Sequence, residues 1–353
     1  MSEPLIAWLD DPAHASASVL GGKFASLAEM AVAGFDVPAG FAVTTAAWQR
    51  FEAENGLAER AAAARAVDPA DLEAIEAAAA EMAAAIEAAP LPAELEAKLD
   101  AAYARLEELA GAPGTPVAVR SSGVAEDLGG ASFAGQYETF LWVMGADEVR
   151  RHVRRCWTGL FSAPVLTYRP EGEGAAAGAA GMAVGVQRMV LPRAAGVMFT
   201  LDPLNGDRSK VVLEAAWGLG EAVVSGEVTP DRFRVDKVTL ELLARELSAK
   251  EVECVFDPDA GGVRMAPVPA ERRDVACLED EQVIALATLG KRIERHRHAP
   301  VDVEWAVDEG GAIHVLQVRP ETVWSRKPKQ PVAGPGGSGV QRVLAKFMAG
   351  GAG

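Results

Sequence analysis

The chain has 353 residues, half of them hydrophobic, which exceeds what one core usually organises and favours two or three packed lobes. Its formal net charge of −16 argues against a nucleic-acid or anionic-membrane surface, because phosphate groups repel such a field. No apolar run reaches the roughly 20 residues of a membrane span, and the three cysteines lack the spacing of a zinc site or a disulfide framework. We therefore expect a soluble, cytoplasmic protein.

The first 45 residues predict a glycine turn, a helix and a strand. Gly21 and Gly22 precede an apolar-periodic helix that ends at Gly34, and a strand follows near 41–43. Lys23 comes directly after the two glycines, so its amine and the first helical N–H groups can face one anion. Taken alone, this GGK sequence favours a glycine cap with a surface lysine, and it departs from the GxxxxGK[ST] phosphate loop.

Residues 57–110 are rich in Ala and Glu, with apolar residues at three- and four-residue intervals. This spacing predicts two or three amphipathic helices. A coiled-coil surface for a partner is one interpretation. The pattern is short and is broken at Pro90 and Pro92, so we favour a helical hairpin inside the domain.

Residues 117–139 read VAVRSSGVAEDLGGASFAGQYET. An apolar strand here leads to Arg120, two hydroxyls and a glycine-broken loop with many backbone N–H groups, which are the parts needed to hold a polyphosphate. No GxSxG elbow occurs, so Ser121 and Ser122 fit a phosphate loop better than a nucleophile. A helix over about 146–160 follows, and the Gly/Ala tract at 171–181 predicts a mobile loop between lobes.

From 182 onward, β-branched runs separated by turns predict a mainly antiparallel sheet. The segment Gln187-Arg188-Met189-Val190 ends one of these strands before a break at Pro192. It can offer free backbone groups to an adenine edge, with Met189 as an apolar cover. The spacing alone favours an ordinary core strand.

A helix at about 279–296 precedes VDVEWAVDEGGAIHVLQVRP, which predicts a final hairpin. Strand alternation places Asp302 with Glu304 on one strand face and Gln317 with Arg319 on the returning one. Glu304 and Gln317 could then offer oxygens to one Mg²⁺ while Arg319 reaches a phosphate. A solvated polar face is the alternative, but the intervening positions are apolar at Trp305, Leu316 and Val318.

These segments together resemble the N-terminal nucleotide-binding domain of the phosphoenolpyruvate synthase and pyruvate phosphate dikinase family. The resemblance runs from about Leu20 to Thr322, and its ordered motifs are LGGKFASLAEM, VPAGFAVTT, VAVRSSGVAEDLGGASFAGQYETFL, CWTGLFSAPVLTYR, GVMFTLDP, EAAWGLGEAVVSGEVTPDRF, VDVEWA and LQVRPET. It implies an α+β fold of the ATP-grasp type, with the nucleotide in a cleft between two lobes. We expect lobes at 1–180 and 181–325 and a Pro/Gly linker with a short tail at 326–353.

The resemblance also implies ATP and Mg²⁺ as the bound groups and a set of site residues. The triphosphate would be held by three catalytic cations, Lys23, Arg120 and Arg319. Gly135 and Thr139 would close the phosphate loop, and Gln187 to Val190 would form the adenine hinge. The Mg²⁺ ligands would be Glu304 and Gln317. Phe24 stands where the family usually has glycine, and Gly123-Val124 replace the usual Ala-Thr.

In this family, the nucleotide domain transfers a phosphoryl group to a histidine on a swivelling domain, which then moves to an acceptor site. Neither of those domains is present in this sequence. We therefore expect a partner subunit that carries the histidine, as in phenylphosphate synthase-type enzymes. The alternatives are an ATP-sensing module without catalysis, or the detached nucleotide domain of a phosphoenolpyruvate synthase or rifampin phosphotransferase-like enzyme.

Overall fold

Two antiparallel sheets organise the chain in the computed structural model, which describes residues 3–124, 138–167, 181–257, 259 and 261–324. The strands are β1 Ile6–Trp8, β2 Gly40–Val43, β3 Val117–Gly123, β4 Thr139–Val143, β5 Met182–Arg188, β6 Pro192–Phe199, β7 Lys210–Trp217, β8 Asp231–Asp236, β9 Leu242–Glu246, β10 Val252–Asp257, β11 Gly262–Pro267, β12 Val301–Asp308 and β13 Ile313–Pro320. The helices are α1 Ala17–Val32, α2 Thr45–Glu54, α3 Ala58–Ala66, α4 Leu72–Ala88, α5 Ala93–Ala110, α6 Ala146–Thr158, α7 Ala163–Thr167, α8 Glu221–Val224, α9 Ala270–Arg273 and α10 Asp280–Arg297. No helix of the described ranges is both long and apolar enough to cross a membrane.

The first sheet has the strand order β1-β2-β5-β3-β4, and all its neighbouring strands are antiparallel. Successive side chains of its strands point to opposite faces of the sheet. On one face, Val119 and Val186 lie in a core with Trp48 and Trp157 of the helices. The intervening positions of β3 carry Ala118, Arg120 and Ser122. Alternation thus places the polar groups of β3 on the face away from that core.

The Ala-rich region forms α3, α4 and α5, as its apolar spacing predicts. Ile75, Met82, Leu95 and Leu99 are almost fully buried in the core of the first sheet. Helix α4 packs on α6 and α7, and α5 packs on α6, β1 and β2. These helices therefore belong to the domain itself, which favours the intradomain interpretation over a coiled-coil surface.

The second sheet has the strand order β13-β12-β6-β7-β8-β9 and is also antiparallel throughout, which confirms the prediction for this part of the chain. Met198, Leu213 and Val303 pack in one core with Leu27 of α1 and Leu286 of α10. Strands β10 and β11 form a separate two-stranded sheet that the sequence patterns did not reveal. Helix α1 thus contributes to the core of the second sheet while also lying against β3 and β5 of the first.

The described chain up to Glu321 forms one compact unit. The predicted lobe boundary at residue 180 stays a prediction, and β5, which follows it, pairs within the first sheet. The predicted loop at 171–181 lies outside the described residues except for Gly181, and so do the linker and tail at 326–353.

A fully buried ion pair links β8 of the second sheet to the segment before β10. Lys250 Nζ lies 2.6 Å from Asp231 Oδ1, and both side chains have 0% exposure. The lysine also donates to Ser248 O at 3.0 Å, and Asp231 Oδ2 accepts from the Cys277 backbone N–H at 3.0 Å. Burial, together with the Asp231 charge, raises the pKa of the Cys277 thiol, which therefore stays protonated. The pair joins β8, the segment before β10 and the segment before α10.

Replacing Lys250 by Met should lower the free energy of unfolding by about 3–5 kcal/mol, because it leaves the Asp231 carboxylate buried without its partner. Urea denaturation followed by circular dichroism measures the change. Lys210→Met is a matched control, since Lys210 at the start of β7 pairs with Asp236 at the end of β8 and both side chains are partly exposed. An equal loss in the two variants would contradict the special role of the buried pair.

Candidate functional site

Lys23 lies just after a break in helix α1. Gly21 has φ 70° and ψ 169°, so the helix stops and restarts there, as the glycine turn predicted. A Cβ at this position would lie 1.9 Å from Ser122 O, so only glycine allows the turn to touch β3. Lys23 is 7% exposed and sits in the first turn of the restarted helix. This close approach holds the lysine beside the strand that carries Arg120.

Arg120 joins the two sheets. Its Nη2 donates to Glu304 Oε2 of β12 at 3.1 Å, and its Nη1 donates to Leu316 O of β13 at 3.3 Å. The side chains of Arg120 and Glu304 are 17% and 20% exposed, so the pair is partly shielded from water. Residues 184 positions apart therefore meet across the space between the sheets.

The terminal hairpin has the predicted register, with Glu304 opposite Gln317 and Asp302 opposite Arg319. Gln317 Nε2 donates to Glu304 Oε1 at 2.8 Å. A bulge after Glu304 pairs Trp305 with Val315. The extra residue is Leu316, which lines the cavity rather than the apolar face where alternation predicted it. That expectation was wrong because the bulge shifts the phase of the strand by one residue.

Arg319 brings a cation to the end of the same hairpin. Its Nε is buried and has no hydrogen-bond partner among the described residues, and neither has Asp302 Oδ1. Burial raises the pKa of Asp302 to about 6, helped by the Glu321 charge and opposed by Arg319. Buried polar atoms without partners are uncommon in proteins, so this end of the hairpin is suited to a further ligand.

The segment after β5 supplies backbone groups and an apolar surface. The N–H groups of Arg188 and Met189 donate to Ala39 O and Pro116 O, both at 2.9 Å. Among the described residues, no group accepts from the Val190 N–H. The Gln187 side chain donates to Pro38 O at 3.1 Å, so it holds the segment in place.

These groups surround one cavity of about 390 Å³ between the two sheets. Nine predicted site residues line it: Lys23, Arg120, Thr139, Gln187, Met189, Val190, Glu304, Gln317 and Arg319. Arg188, inside the predicted hinge, also lines it. The tenth predicted residue, Gly135, lies outside the described residues. Next to Leu141, which lines the cavity, Trp142 of β4 stacks on Phe256 of β10, with ring centroids 4.4 Å apart.

Glu221 is a cavity residue that sequence reasoning missed. It begins the short helix α8 and lines the same cavity. Burial raises the pKa of its carboxyl, with Arg120 opposing and Glu304 adding to the shift. The sequence signal for this residue was the LGEA segment after β7, where Glu221 follows a glycine turn. No neighbouring residue in the sequence indicated a partner for its carboxylate.

The donor set fits Mg²⁺ in part. Glu304 and Gln317 provide a carboxylate and an amide, the hard oxygen ligands that Mg²⁺ takes, and the orphaned Asp302 Oδ1 is another acceptor on the same hairpin. Within the described ranges, no three His, Cys, Asp or Glu side chains gather as a metal cluster. The arrangement therefore suits a magnesium ion shared with phosphate oxygens and water rather than a cage made of protein alone.

Comparison with known proteins gives this arrangement a family. Residues 17–335 match the family described as pyruvate phosphate dikinase, AMP/ATP-binding domain. The chain belongs to this family. Membership confirms the family resemblance and the predicted α+β fold of the ATP-grasp type.

The chain spans about a third of the length of two relatives that it matches. A probable phosphoenolpyruvate synthase of Methanocaldococcus jannaschii is 39% identical over 94% of this chain and 28% of its own length. A rifampicin phosphotransferase of a Streptomyces species is 41% identical over 94% of this chain and 37% of its own length. Among solved structures, D-alanyl-alanine synthetase A of Vibrio cholerae is 12% identical, and the match covers 63% of this chain and 54% of that chain with a TM-score of 0.22.

Proposed function

We propose that the chain binds ATP with Mg²⁺ in the cavity between its sheets and transfers a phosphoryl group to a histidine on a separate partner subunit. The observation that carries this proposal is the convergence of three cations with the Glu304 and Gln317 pair around one cavity. In a chain with a net charge of −16, Lys23, Arg120 and Arg319 are drawn from three distant segments to this one place. Such a cluster matches the charge of a triphosphate.

The cavity lining offers groups for both ends of ATP. Met189 packs against Leu219 in one apolar cluster, and the neighbouring Val190 N–H is available to an adenine edge. Lys23, Arg120 and Arg319 are cations of the same lining. We propose that the adenine contacts Met189 and that the phosphates face the terminal hairpin, which carries Arg319.

Phosphoryl transfer needs positioning and charge neutralisation more than covalent help from the protein. Arg120 and Arg319 can donate paired N–H groups to phosphate oxygens, and Lys23 adds a single ammonium. Glu304 and Gln317 would hold Mg²⁺, which neutralises charge on the phosphates when it is bound. Because these groups are fixed before the reaction, they stabilise the charge that develops on the transferred group.

The overall cycle would consume ATP, a small acceptor and water and release AMP, the phosphorylated acceptor and phosphate. We place the histidine and the acceptor pocket on the partner, with a phenol-type compound or pyruvate as the acceptor. Support comes from the two relatives, a phosphoenolpyruvate synthase and a rifampicin phosphotransferase, which are far longer than this chain. A detached nucleotide domain of such an enzyme would act in the same way.

A nucleotide sensor without catalysis is the second candidate. A sensor needs no metal ligands, yet Glu304 and Gln317 stand opposite each other beside three cations. To separate the candidates, the chain is incubated with Mg²⁺, ATP labelled on its β- or γ-phosphate, and a protein that carries the family's histidine domain. Acid-labile label on the histidine supports the transferase. ATP binding without label on any such protein favours the sensor.

Replacing Arg319 by Ala should weaken ATP binding by about 1.5–3 kcal/mol, because a charge-assisted donor to phosphate is lost in a shielded site. Isothermal titration with ATP measures the change. Arg295→Ala, which removes an exposed arginine of α10, is the control. Unchanged ATP affinity in the Arg319 variant would count against the assignment.

Replacing Glu304 by Gln should remove most of the gain in ATP affinity that Mg²⁺ provides, because an amide is a weaker ligand than a carboxylate. Without metal, ATP should bind this variant at least as well as the unaltered chain, since one negative charge leaves a cationic site. Titrations in Mg²⁺ and in EDTA test both statements. Glu309→Gln, at the exposed hairpin turn, should respond to Mg²⁺ normally. A normal response in the Glu304 variant would exclude this residue as a ligand.

A further inference from the structure

Helix α1 is bonded to both walls of the cavity by two buried hydroxyls. On one wall, the backbone N–H of Phe24 donates to Ser122 Oγ of β3 at 3.1 Å. On the other wall, Ser26 Oγ donates to Val318 O of β13 at 2.7 Å. Ser122 is 0% exposed and Ser26 is 6% exposed, so water has little access to either hydroxyl. Lys23 precedes both bonded positions on the helix.

The bond to Ser122 satisfies a group that the break in α1 leaves open. After the break at Gly21, the first N–H groups of the restarted helix lack the usual acceptor one turn earlier. Ser122, 98 residues along the chain from Phe24, supplies an oxygen for one of them. A serine on a neighbouring strand thus caps the helix turn that carries Lys23.

Close packing on β5 fixes the same turn from a second direction. The Phe24 ring lies so near Gly185 that a Cβ there would be 1.7 Å from its Cζ. Gly185 is the ladder partner of Arg120. Gly185 therefore leaves room for the Phe24 ring directly beside the predicted phosphate arginine.

Each bond anchors α1 next to a predicted phosphate cation. Ser122 follows Arg120 by two positions on β3, so both project from the same face of the strand. Val318 lies between Gln317 and Arg319 on β13. Each hydrogen bond thus ties α1 to a strand that carries another of the three predicted phosphate cations, and neither serine lines the cavity.

From this geometry we infer that Ser122 and Ser26 are positioning residues for the triphosphate, holding Lys23 at a fixed distance from Arg120 and Arg319. The inference rests on the proposed function, because it assigns a role within the same site. If the two hydroxyls only form hydrogen bonds inside the core, their loss should lower the stability of the fold without changing the ratio of ATP affinity to adenosine affinity. If they set the spacing of the cations, their loss should weaken the binding of ATP, which has the phosphates, and leave the binding of adenosine unchanged.

The test compares affinities for ATP and for adenosine in Ser122→Ala and Ser26→Ala. We expect ATP to bind each variant about fivefold more weakly, since one hydrogen bond that orients the cations is lost, with adenosine affinity changed less than about twofold. Ser26→Thr, which keeps the hydroxyl, should restore ATP binding. The matched control is Thr45→Val, because Thr45 Oγ1 donates to Ser18 O of α1 on the other side of the Gly21 break. This control removes a buried hydroxyl of α2 that is bonded to the same helix α1, and it should keep the ATP to adenosine ratio.

Each outcome bears on one claim. If the unaltered chain binds no ATP, the proposed function fails and the positioning role falls with it. If the unaltered chain binds ATP, equal weakening of ATP and adenosine, or unchanged ATP affinity in both alanine variants, overturns the positioning role alone. Should Ser122→Ala not fold, as judged by circular dichroism, Ser26→Ala and its threonine counterpart decide the question from the opposite wall.

Discussion

The contact between Arg120 and Glu304 is the interaction on which the site depends. It joins a strand of the first sheet to a strand of the second, and its two charges are largely shielded from water. Four cationic side chains line the cavity, namely Lys23, Arg120, Arg188 and Arg319. They repel each other, and the repulsion is larger in a partly buried site than in bulk water. The Glu304 carboxylate offsets part of that repulsion.

Close backbone approaches make this geometry possible. Gly21 lets a helix touch β3, and Gly185 leaves room for the ring of Phe24 beside Arg120. Gly196, which lines the cavity on β6, has a hypothetical Cβ 1.9 Å from Glu214 O of β7. Side chains at these positions would push the walls apart, so the shape of the cavity follows from where the chain omits a Cβ.

Much of the site could be predicted from the sequence because its parts are local. The glycines before Lys23, the strand before Arg120 and the alternation that places Glu304 opposite Gln317 are all visible within a few residues. The missed features depend on distant partners. Leu316 changes face through a bulge, and Ser26 finds its acceptor 292 residues away. Glu221 reaches the cavity only because α8 packs beside it. The residue pattern within one strand or helix does not predict contacts between such distant segments.

The stack of Trp142 on Phe256 ties the first sheet to the small sheet of β10 and β11. Trp142 lies on β4, at the edge of the first sheet, and Phe256 lies on β10, which contacts α8. Separating β4 from β10 therefore means separating two aromatic rings, which costs about 0.5–1.5 kcal/mol beyond the area exposed. Trp142 also has a left-handed φ of 62°, a conformation that tryptophan adopts at an energetic cost. Because Trp142 is 5% exposed, its fluorescence emission would shift if the two strands separated and water reached the indole.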